Sequence, residues 1–329
     1  MPKFPFFTYI KSRKQNMEKF CDAVFEGGGV RGIGYVGAIA HFEKMGYQFR
    51  NIAGASAGAI VASLLAAGYT ADEMRAELEH INFEKLKQPY FKTNILGIGA
   101  LGALINTTKN FGMYNADNFE AWLHELLARK GVYTFEHLHG RLQLVATDVT
   151  DENTIVLPRD LGKYGIVGEK FSVATAVRMS MSIPAFYSPY ELTDRNGNIH
   201  YIVDGGMLAN YPIWCLDGGG SVPDIPVFGF RFIHYAGQIK SKKPSVITYA
   251  KQILTTLIEA NDHSIKYMIR GDEQRTIYID TMIDGKNIGI TDFAITHPQV
   301  LRLYENGMKS AEQFLASWDF KNWCNVHRK

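Results

Sequence analysis

Short runs of consecutive apolar residues alternate along the chain with longer segments in which apolar positions recur every three or four residues. The short runs predict buried strands, and the periodic segments predict helices with one buried face. Strands are predicted at residues 22–25, 51–55, 142–146, 154–157, 201–203, 227–232 and 276–279. Helices are predicted at residues 30–45, 57–67, 71–81, 116–130, 171–181, 245–269 and 298–318. This alternation favours an α/β fold, and no linker divides the chain into two domains.

Composition and charge exclude several classes of protein. With 329 residues, 46% of them hydrophobic and 12% aromatic, the chain can bury a large core, which excludes disorder. The 35 basic and 33 acidic residues leave a net charge of +2, which gives no support to nucleic-acid binding. Cys21, Cys215 and Cys324 are too few and too far apart for a disulfide framework or a zinc site, so a reducing compartment is expected.

Membrane spans and targeting signals are not predicted. The longest uncharged stretch, residues 93–108, is shorter than the ~18–20 apolar residues that a spanning helix needs. The first ten residues contain two prolines and no cleavage site of small residues, so they do not predict a secretory signal. The sequence therefore predicts a cytoplasmic protein, whose contact with a membrane would be peripheral.

A turn of small residues with a serine at its centre follows the strand at 51–55 and precedes an apolar helix. Its sequence is Gly54-Ala55-Ser56-Ala57-Gly58. The pattern G-x-S-x-G in this context predicts a sharp turn that projects the Ser56 hydroxyl above the sheet edge as a nucleophile. The N-terminus of the following helix favours developing negative charge. The alternative, a serine that only caps the helix, is less favoured by the strand–turn–helix context.

A glycine-rich loop follows the strand at 22–25, again ahead of a helix. It consists of Gly27, Gly28, Gly29, Val30, Arg31 and Gly32. One interpretation is an oxyanion hole, in which the amides of Gly28 and Gly29 face an acyl oxygen. The other is a dinucleotide-binding loop of the form G-x-G-x-x-G, although the next strand lacks the acidic residue that a ribose contact requires. Arg31 either anchors the loop or lies near an anionic head group.

A third candidate site is an aspartate at the end of the strand at 201–203. Asp204 is followed by Gly205 and Gly206, which alone is typical of an ordinary turn. Asp217 is followed by three glycines but has no apolar strand before it, so it is interpreted as a loop residue.

Serine hydrolases usually use a histidine as the base. The candidates after Asp204 are His234, His263 and His297, of which His234 is favoured because it follows a strand. A Ser–Asp pair without histidine is the alternative.

The three motifs together resemble the patatin-like phospholipase family. That family carries a loop G-G-G-x-(R/K)-G, a G-x-S-x-G turn about 25–30 residues later and a distant D-G-(G/A). Here the loop begins at Gly27 and the serine turn at Gly54, and Ser56 and Asp204 are 148 positions apart. A further segment, residues 180–186, resembles the stretch that precedes the aspartate in this family and lines its site. The resemblance extends from about residue 20 to about residue 318, and every motif position matches.

The resemblance implies a three-layer α/β sandwich with a central, mostly parallel sheet and a Ser–Asp dyad that needs no metal or cofactor. Asp204 would accept the Ser56 proton as the hydroxyl attacks an ester carbonyl, and the amides of Gly28 and Gly29, with Val30, would hold the oxyanion. Because an ordinary aspartate has a pKa near ~4, burial is expected to raise the pKa of this carboxyl.

The implied function is that of a serine lipid acyl hydrolase of phospholipase A or lysophospholipase type, whose partner is a phospholipid or another fatty-acyl ester. The alternatives are an acyltransferase or neutral-lipid lipase with the same dyad, or a nucleotide-binding protein that uses the loop at 27–32. Residue order does not predict the oligomeric state.

Three regions are predicted: a basic, aromatic tail at 1–19, a catalytic domain at 20–318 and a C-terminal tail at 319–329. Residues 85–115 are predicted as a loop-rich insert. Within it, the stretch 93–108 is interpreted either as a lid at the lipid interface or as a buried glycine-rich turn. The N-terminal tail is interpreted as solvated, with contact to anionic lipid as the alternative.

Overall fold

The computed structural model describes residues 19–79, 110–217, 223–235, 271–290 and 292–328, together with positions 81, 88–89 and 256. Several sequence predictions fall outside these residues. They are the N-terminal tail up to residue 18, most of the insert predicted at 85–115 with its candidate lid at 93–108, the helix predicted at 245–269 apart from position 256, and His263. Among the described residues, no helix combines the length and hydrophobicity that crossing a bilayer requires.

The strands of the described residues form one large sheet and two small ones. They are Lys19–Phe25 (β1), Tyr47–Ala55 (β2), Gln88–Pro89 (β3), Gly112–Asn115 (β4), Leu142–Asp148 (β5), Asn153–Leu157 (β6), Ala185–Tyr187 (β7), Tyr190–Thr193 (β8), Ile199–Asp204 (β9), Val227–Phe232 (β10), Thr276–Ile279 (β11), Met282–Ile283 (β12) and Lys286–Asn287 (β13). In the described part of the chain, the central sheet has eight strands in the order β11-β10-β1-β2-β5-β9-β8, with β6 paired to β5. The five strands from β11 to β5 are parallel, and β6, β8 and β9 pair antiparallel, which confirms a mostly parallel sheet.

Strand β5 has different partners along its length, and this arrangement brings the ends of β2 and β9 together. Its first half pairs in parallel with the end of β2, and its second half pairs antiparallel with β9. Strand β6 pairs with both halves of β5, so β2 and β9 lie on the same opposite edge. Strand β2 ends at Ala55, opposite Val145, and β9 ends at Asp204, opposite Ala146. The carboxyl ends of two oppositely directed strands therefore meet on one edge of β5.

Helices cover both faces of the sheet. They are Ile33–Lys44 (α1), Ala57–Ala66 (α2), Ala71–Leu78 (α3), Asp117–Arg129 (α4), Val173–Met181 (α5), Gly206–Ala209 (α6), His297–Ser317 (α7) and Phe320–His327 (α8). The large core lies between one face and α1–α5 and α7, where alternate residues of β10 contribute Phe228, Phe230 and Phe232. The opposite face buries Val24 and Ala53 beneath α6 and the turns that follow it. The result is the α/β sandwich that the sequence predicts.

Local boundaries follow the sequence prediction closely, with informative differences. Strands β10 and β11 have the predicted bounds. The helix predicted at 30–45 begins with the 3-10 turn Gly29–Gly32 and becomes α-helical only at Ile33. The helix predicted at 171–181 begins later, at Val173, because the Ser172 hydroxyl caps it by accepting the Thr175 amide.

The predicted C-terminal tail contains a helix that packs on the domain. Helix α8 buries Trp323, whose indole nitrogen donates to the Gly271 carbonyl at 2.9 Å. Arg328 donates to the Asp217 carboxylate at 3.1 Å, and Arg275 donates to the same carboxylate at 3.0 Å. All three charged groups are buried, so the end of α8 is held by an ion-pair network instead of lying in solvent.

Candidate active site

Ser56 occupies a tight turn between β2 and α2. Its backbone has φ 53° and ψ −124°, a conformation that costs a residue other than glycine about 1–3 kcal/mol. The turn is also closely packed, because a Cβ on Gly58 would overlap the carbonyl oxygens at the end of β1, and a Cβ on Gly54 would overlap Gly58. The Ser56 side chain makes no capping bond to α2, so its hydroxyl is used elsewhere.

The Ser56 hydroxyl donates a hydrogen bond to Asp204. The distance between Ser56 Oγ and Asp204 Oδ2 is 2.6 Å, and the other carboxylate oxygen accepts the Gly206 amide at 2.7 Å. Asp204 is 1% exposed, and this burial raises the pKa of its carboxyl from 3.8 to about 6, although both hydrogen bonds oppose the shift. The structure thus pairs the predicted serine with a carboxylate that binds a proton more readily than an ordinary aspartate.

The segment at the end of α5 holds the serine and the aspartate in register. Ser180 Oγ accepts the Ser56 amide at 3.0 Å and donates to a β5 carbonyl at 2.6 Å. The Ser180 carbonyl accepts the Gly205 amide at 3.1 Å, and the Ser182 carbonyl accepts the Asp204 amide at 3.0 Å. Sequence reasoning placed this segment at the site by resemblance but assigned no role to Ser180. Ser180 connects both halves of the pair, through its hydroxyl to the Ser56 amide and through its carbonyl to the residue that follows Asp204.

The glycine loop lies against Ser56. A Cβ on Gly27 would lie 3.2 Å from Ser56 Cβ and would overlap the side-chain oxygen of Asn210, so only glycine fits this position. The Gly27 amide donates to the Asn210 carbonyl at 3.0 Å. Gly29 has φ +57° and lies against the Ile290 carbonyl, which again requires glycine.

The amides of this loop differ in their availability. The Val30 amide donates to the Ile290 carbonyl at 3.2 Å. Hydrogen bonds from the amides of Gly28 and Gly29 are absent among the described residues. Arg31 is buried, donates from Nε to the Gly28 carbonyl at 3.0 Å and packs its guanidinium 4.7 Å from the centre of the Phe232 ring. Of the two interpretations of Arg31, the geometry supports the anchor.

A buried ion pair, which sequence reasoning missed, anchors the start of the glycine-rich loop. Glu26 immediately precedes the loop and is completely buried. Its carboxylate accepts Arg231 Nε and the Phe232 amide, each at 2.9 Å. Burial alone would raise the pKa of Glu26, but Arg231, with His234 nearby, holds it well below its ordinary value. The sequence did contain a signal for this ion pair: Glu26 stands at the end of an apolar strand, and a buried charge there needs an oppositely charged partner.

The histidine candidates lie elsewhere. His234 Nε2 is 3.6 Å from the Glu26 carboxylate, and His297 Nε2 is 3.6 Å from Glu79. Within the described residues, the hydrogen-bond partners of the Asp204 carboxylate are Ser56 and Gly206, and no histidine is among them. The geometry therefore favours the Ser–Asp pair over a triad.

One group of side chains near the site has the residue types of a metal site. Asp148, Asp151 and His200 bring their ligand atoms within 4.8 Å of one another. However, Asp148 Oδ2 already pairs with His200 Nδ1 and with the Tyr164 hydroxyl, each at 2.8 Å. Its Oδ1 accepts the amides of Thr150 and Asp151. These contacts describe a hydrogen-bonded structural cluster whose carboxylate has its acceptor positions filled.

An apolar pocket opens beside Ser56. Apart from Ser56 and the Tyr187 hydroxyl, its lining is apolar. The lining residues are Gly29, Ser56, Ala57, Ile60, Phe119, Met181, Ile183, Tyr187 and Phe293. A pocket of this chemistry suits hydrocarbon, and no charged side chain lines it that would pair with a nucleotide phosphate.

Comparisons with known proteins identify a family and relatives of this chain. The family model of patatin-like phospholipases matches residues 23–217, which include the loop, the serine turn and Asp204. The protein YqhO of Bacillus subtilis is 35% identical over 304 residues, which cover 92% of this chain and all of YqhO. The protein R571 of Acanthamoeba polyphaga mimivirus is 26% identical over 316 residues, covering 92% of this chain and 95% of R571.

A solved structure shares the fold. The crystal structure of VipD from Legionella pneumophila superposes with a TM-score of 0.50 at 19% identity, covering 91% of this chain and 67% of VipD. At this level of identity the likeness concerns the fold alone. The family match over more than half of the chain and the close relative in Bacillus subtilis carry the assignment. The chain therefore belongs to the patatin-like phospholipase family, which is a family of lipid hydrolases.

Proposed function

We propose that the chain hydrolyses fatty-acyl esters of phospholipids or related lipids, with Ser56 as the nucleophile and Asp204 as its base. The observation that carries the proposal is the hydrogen bond from Ser56 Oγ to the buried Asp204 carboxylate at 2.6 Å. Neither metal nor cofactor has a part in this mechanism. The strained turn at Ser56 supports the proposal, because strain of this kind is concentrated at functional sites.

The first step forms an acyl-enzyme. Ser56 Oγ attacks the ester carbonyl carbon while its proton passes to Asp204 Oδ2. The carbonyl oxygen becomes an oxyanion, which the amides of Gly28 and Gly29 and the N-terminus of α2 stabilise. The Val30 amide already donates a hydrogen bond to the Ile290 carbonyl, so we assign the oxyanion to the amides of Gly28 and Gly29 alone. When the intermediate collapses, the ester C–O bond breaks and the alcohol leaves with the proton from Asp204.

The second step releases the fatty acid. Water attacks the acyl carbon as Asp204 accepts its proton, and the same loop holds the second oxyanion. Breakage of the bond to Ser56 Oγ then returns the proton to the serine. A base serves such transfers best when its pKa lies near the working pH, so a pKa raised to about 6 makes Asp204 a better base than an ordinary aspartate.

The pocket beside Ser56 supports a lipid as the substrate. Its lining is apolar, so an acyl chain is stabilised there by burial. The same dyad would also serve transfer of the acyl group to an alcohol or cleavage of neutral lipids. These alternatives differ only in the acceptor and the leaving group, which the assay must therefore identify.

The test is fatty-acid release from mixed phospholipid vesicles in the presence of a chelator. The variants Ser56→Ala and Asp204→Asn are expected to lose release, whereas His234→Gln retains it. Ser63→Ala is the matched control, because the hydroxyl of this buried serine of α2 bonds, among the described residues, only to the Ile60 carbonyl of its own helix, at 2.8 Å. Added glycerol distinguishes hydrolysis from transfer through the appearance of acylglycerol.

Three outcomes would contradict parts of the proposal. Full activity in Asp204→Asn would remove the aspartate from the reaction. Loss in His234→Gln, with its fold intact by circular dichroism, would point to a triad. Acylglycerol as the main product would assign an acyltransferase.

A further inference from the structure

One buried polar cluster belongs to the strands that carry the site, although the mechanism above does not use it. Asp148 is the last residue of β5, and His200 is the second residue of β9. Asp148 Oδ2 accepts hydrogen bonds from His200 Nδ1 and from the Tyr164 hydroxyl, each at 2.8 Å. The strand that contains His200 ends at Asp204. The cluster is therefore joined to the proposed base through a single strand.

The pairing between β5 and β9 extends over three residue pairs. Asp204 lies opposite Ala146 at one end of this pairing, and Ile202 lies opposite Asp148 at the other. A strand rises about 3.3 Å per residue, so the two ends are separated by about 7 Å along β5. The hydrogen bond from His200 to Asp148 closes the end that is remote from the proposed base.

Further contacts of His200 connect β9 to the segments around it. Its Nδ1 is 3.7 Å from Asp151, in the turn after β5, and its Nε2 is 3.8 Å from Asp194, directly after β8. The Tyr164 ring packs edge to face against the imidazole, with the ring centres 4.9 Å apart. His200 is buried among these groups, so β9 cannot shift along β5 without breaking several contacts at once.

The register of β9 decides where the Asp204 side chain points. Alternate residues of a strand face opposite sides of a sheet, so a slip by one residue would turn the Asp204 carboxylate away from Ser56. The same slip would separate His200 from Asp148 and leave a buried carboxylate short of a donor, which is costly. The bond between these two side chains therefore favours the register in which Ser56 Oγ lies 2.6 Å from Asp204 Oδ2.

We propose that Asp148 and His200 are positioning residues for the reaction, whose hydrogen bond fixes β9 on β5 and so holds Asp204 against Ser56. This inference rests on the proposed function. Among the described residues, the Asp204 carboxylate bonds to Ser56 and Gly206, so the cluster acts on it through the backbone of β9.

Tyr164 provides a matched control for His200. Its hydroxyl donates to the same oxygen of Asp148 at the same distance, but it belongs to the 3-10 turn Arg159–Tyr164, outside the sheet. Tyr164→Phe therefore removes one donor from the buried carboxylate and leaves the bond between β5 and β9 in place. Loss of a donor is common to Tyr164→Phe and His200→Leu, whereas loss of the link between the strands is specific to His200→Leu.

The test measures hydrolysis of p-nitrophenyl butanoate, a soluble ester, and the rate at which a fluorophosphonate labels Ser56. His200→Leu should lower kcat and the labelling rate by about tenfold to hundredfold, with KM within about twofold, because the base is misplaced. His200→Asn places an amide N–H close to the position of Nδ1, so kcat should return to within about threefold of wild type. Tyr164→Phe keeps the link between the strands and should change kcat by less than about threefold.

The comparison separates positioning from a general loss of stability. Urea unfolding gives the folded fraction of each variant, and kcat is expressed per folded chain; His200→Phe replaces His200→Leu where leucine prevents folding. Equal losses of kcat in the leucine variant and in Tyr164→Phe, an effect confined to KM, or no recovery in His200→Asn overturns the positioning role alone. A wild-type chain that neither hydrolyses the ester nor is labelled at Ser56 overturns the proposed function as well.

Discussion

Replacing Asp204 by asparagine should stabilise the folded protein while it removes activity. Burial raises the pKa of this carboxyl from 3.8 to about 6, which means that the folded state disfavours its ionised form. A difference of about two pKa units corresponds to about 3 kcal/mol at neutral pH. Asparagine resembles the protonated acid: its oxygen can accept the Gly206 amide, and its amide can donate to Ser56 Oγ.

The sign of the pH dependence follows from proton binding. Below pH 4 the carboxyl is protonated in both the folded and the unfolded state, so it contributes nothing. Between about pH 4 and pH 6 the folded state keeps a proton that the unfolded state has lost, so stability falls as pH rises. Above pH 6 the full cost of about 3 kcal/mol is present. Activity has the opposite dependence, because the base must be ionised: kcat/KM should rise with pH to a plateau, with an apparent pKa of about 6.

Urea unfolding at pH 7.5 and pH 4.5 measures the effect. Asp204→Asn is expected to be more stable than wild type by about 2–3 kcal/mol at pH 7.5 and by about 1 kcal/mol at pH 4.5. Asp224→Asn, at an exposed position, is the control and should differ from wild type by less than about 0.5 kcal/mol at both pH values. A less stable Asp204→Asn variant at pH 7.5, or a gain of equal size at both pH values, would refute the reasoning.

Three further predictions concern the parts that hold the site. Ser180→Ala leaves the Ser56 amide without its acceptor, so kcat should fall by about tenfold or more and stability by about 1–3 kcal/mol; an unchanged kcat would contradict the role of this hydroxyl. Gly58→Ala forces a methyl group against the Phe25 and Glu26 carbonyls, and thermal unfolding should show a loss of about 1–3 kcal/mol; an unchanged stability would contradict the close packing of the turn. Arg328→Met breaks the buried ion-pair network and should cost about 3–5 kcal/mol in urea unfolding, whereas Arg302→Met, 64% exposed, should cost less than about 0.5 kcal/mol; equal effects would show that α8 is not held by charge.

The sequence predicts strand boundaries well where the neighbouring residues themselves end the strand. Strand β10 begins directly after Pro226, and β11 lies between Arg275 and Asp280; their predicted bounds agree with the structure. The start of α1 differs because a distant contact changes it: the Val30 amide donates to the Ile290 carbonyl, 260 positions away, which accompanies a 3-10 first turn. Hydrophobic periodicity contains no information about such a bond.

In the candidate site, too, the sequence predicts the local motifs but not the contacts between distant residues. The serine turn, the glycine loop and Asp204-Gly205-Gly206 are each compact in sequence, so turn chemistry and spacing identify them. Their meeting depends on β9 running against β5, which strand patterns alone do not predict. Ser180, 124 positions from Ser56, is one serine among many in the sequence, and only the fold gives it two partners at the site.

The two buried carboxylates of the site argue for the assignment of the base independently of any motif. Glu26 and Asp204 are both almost completely buried, yet their pKa values move in opposite directions. Glu26 has Arg231 as a counter-ion and stays ionised, so it cannot exchange a proton near neutral pH. Among the described residues, no cation lies within salt-bridge distance of Asp204, and its acidic proton is therefore held more tightly. Where two carboxylates have environments that push their pKa values apart, the one that titrates near the working pH is the proton carrier. We therefore propose Asp204 as the proton carrier, while the ionised Glu26 holds the loop.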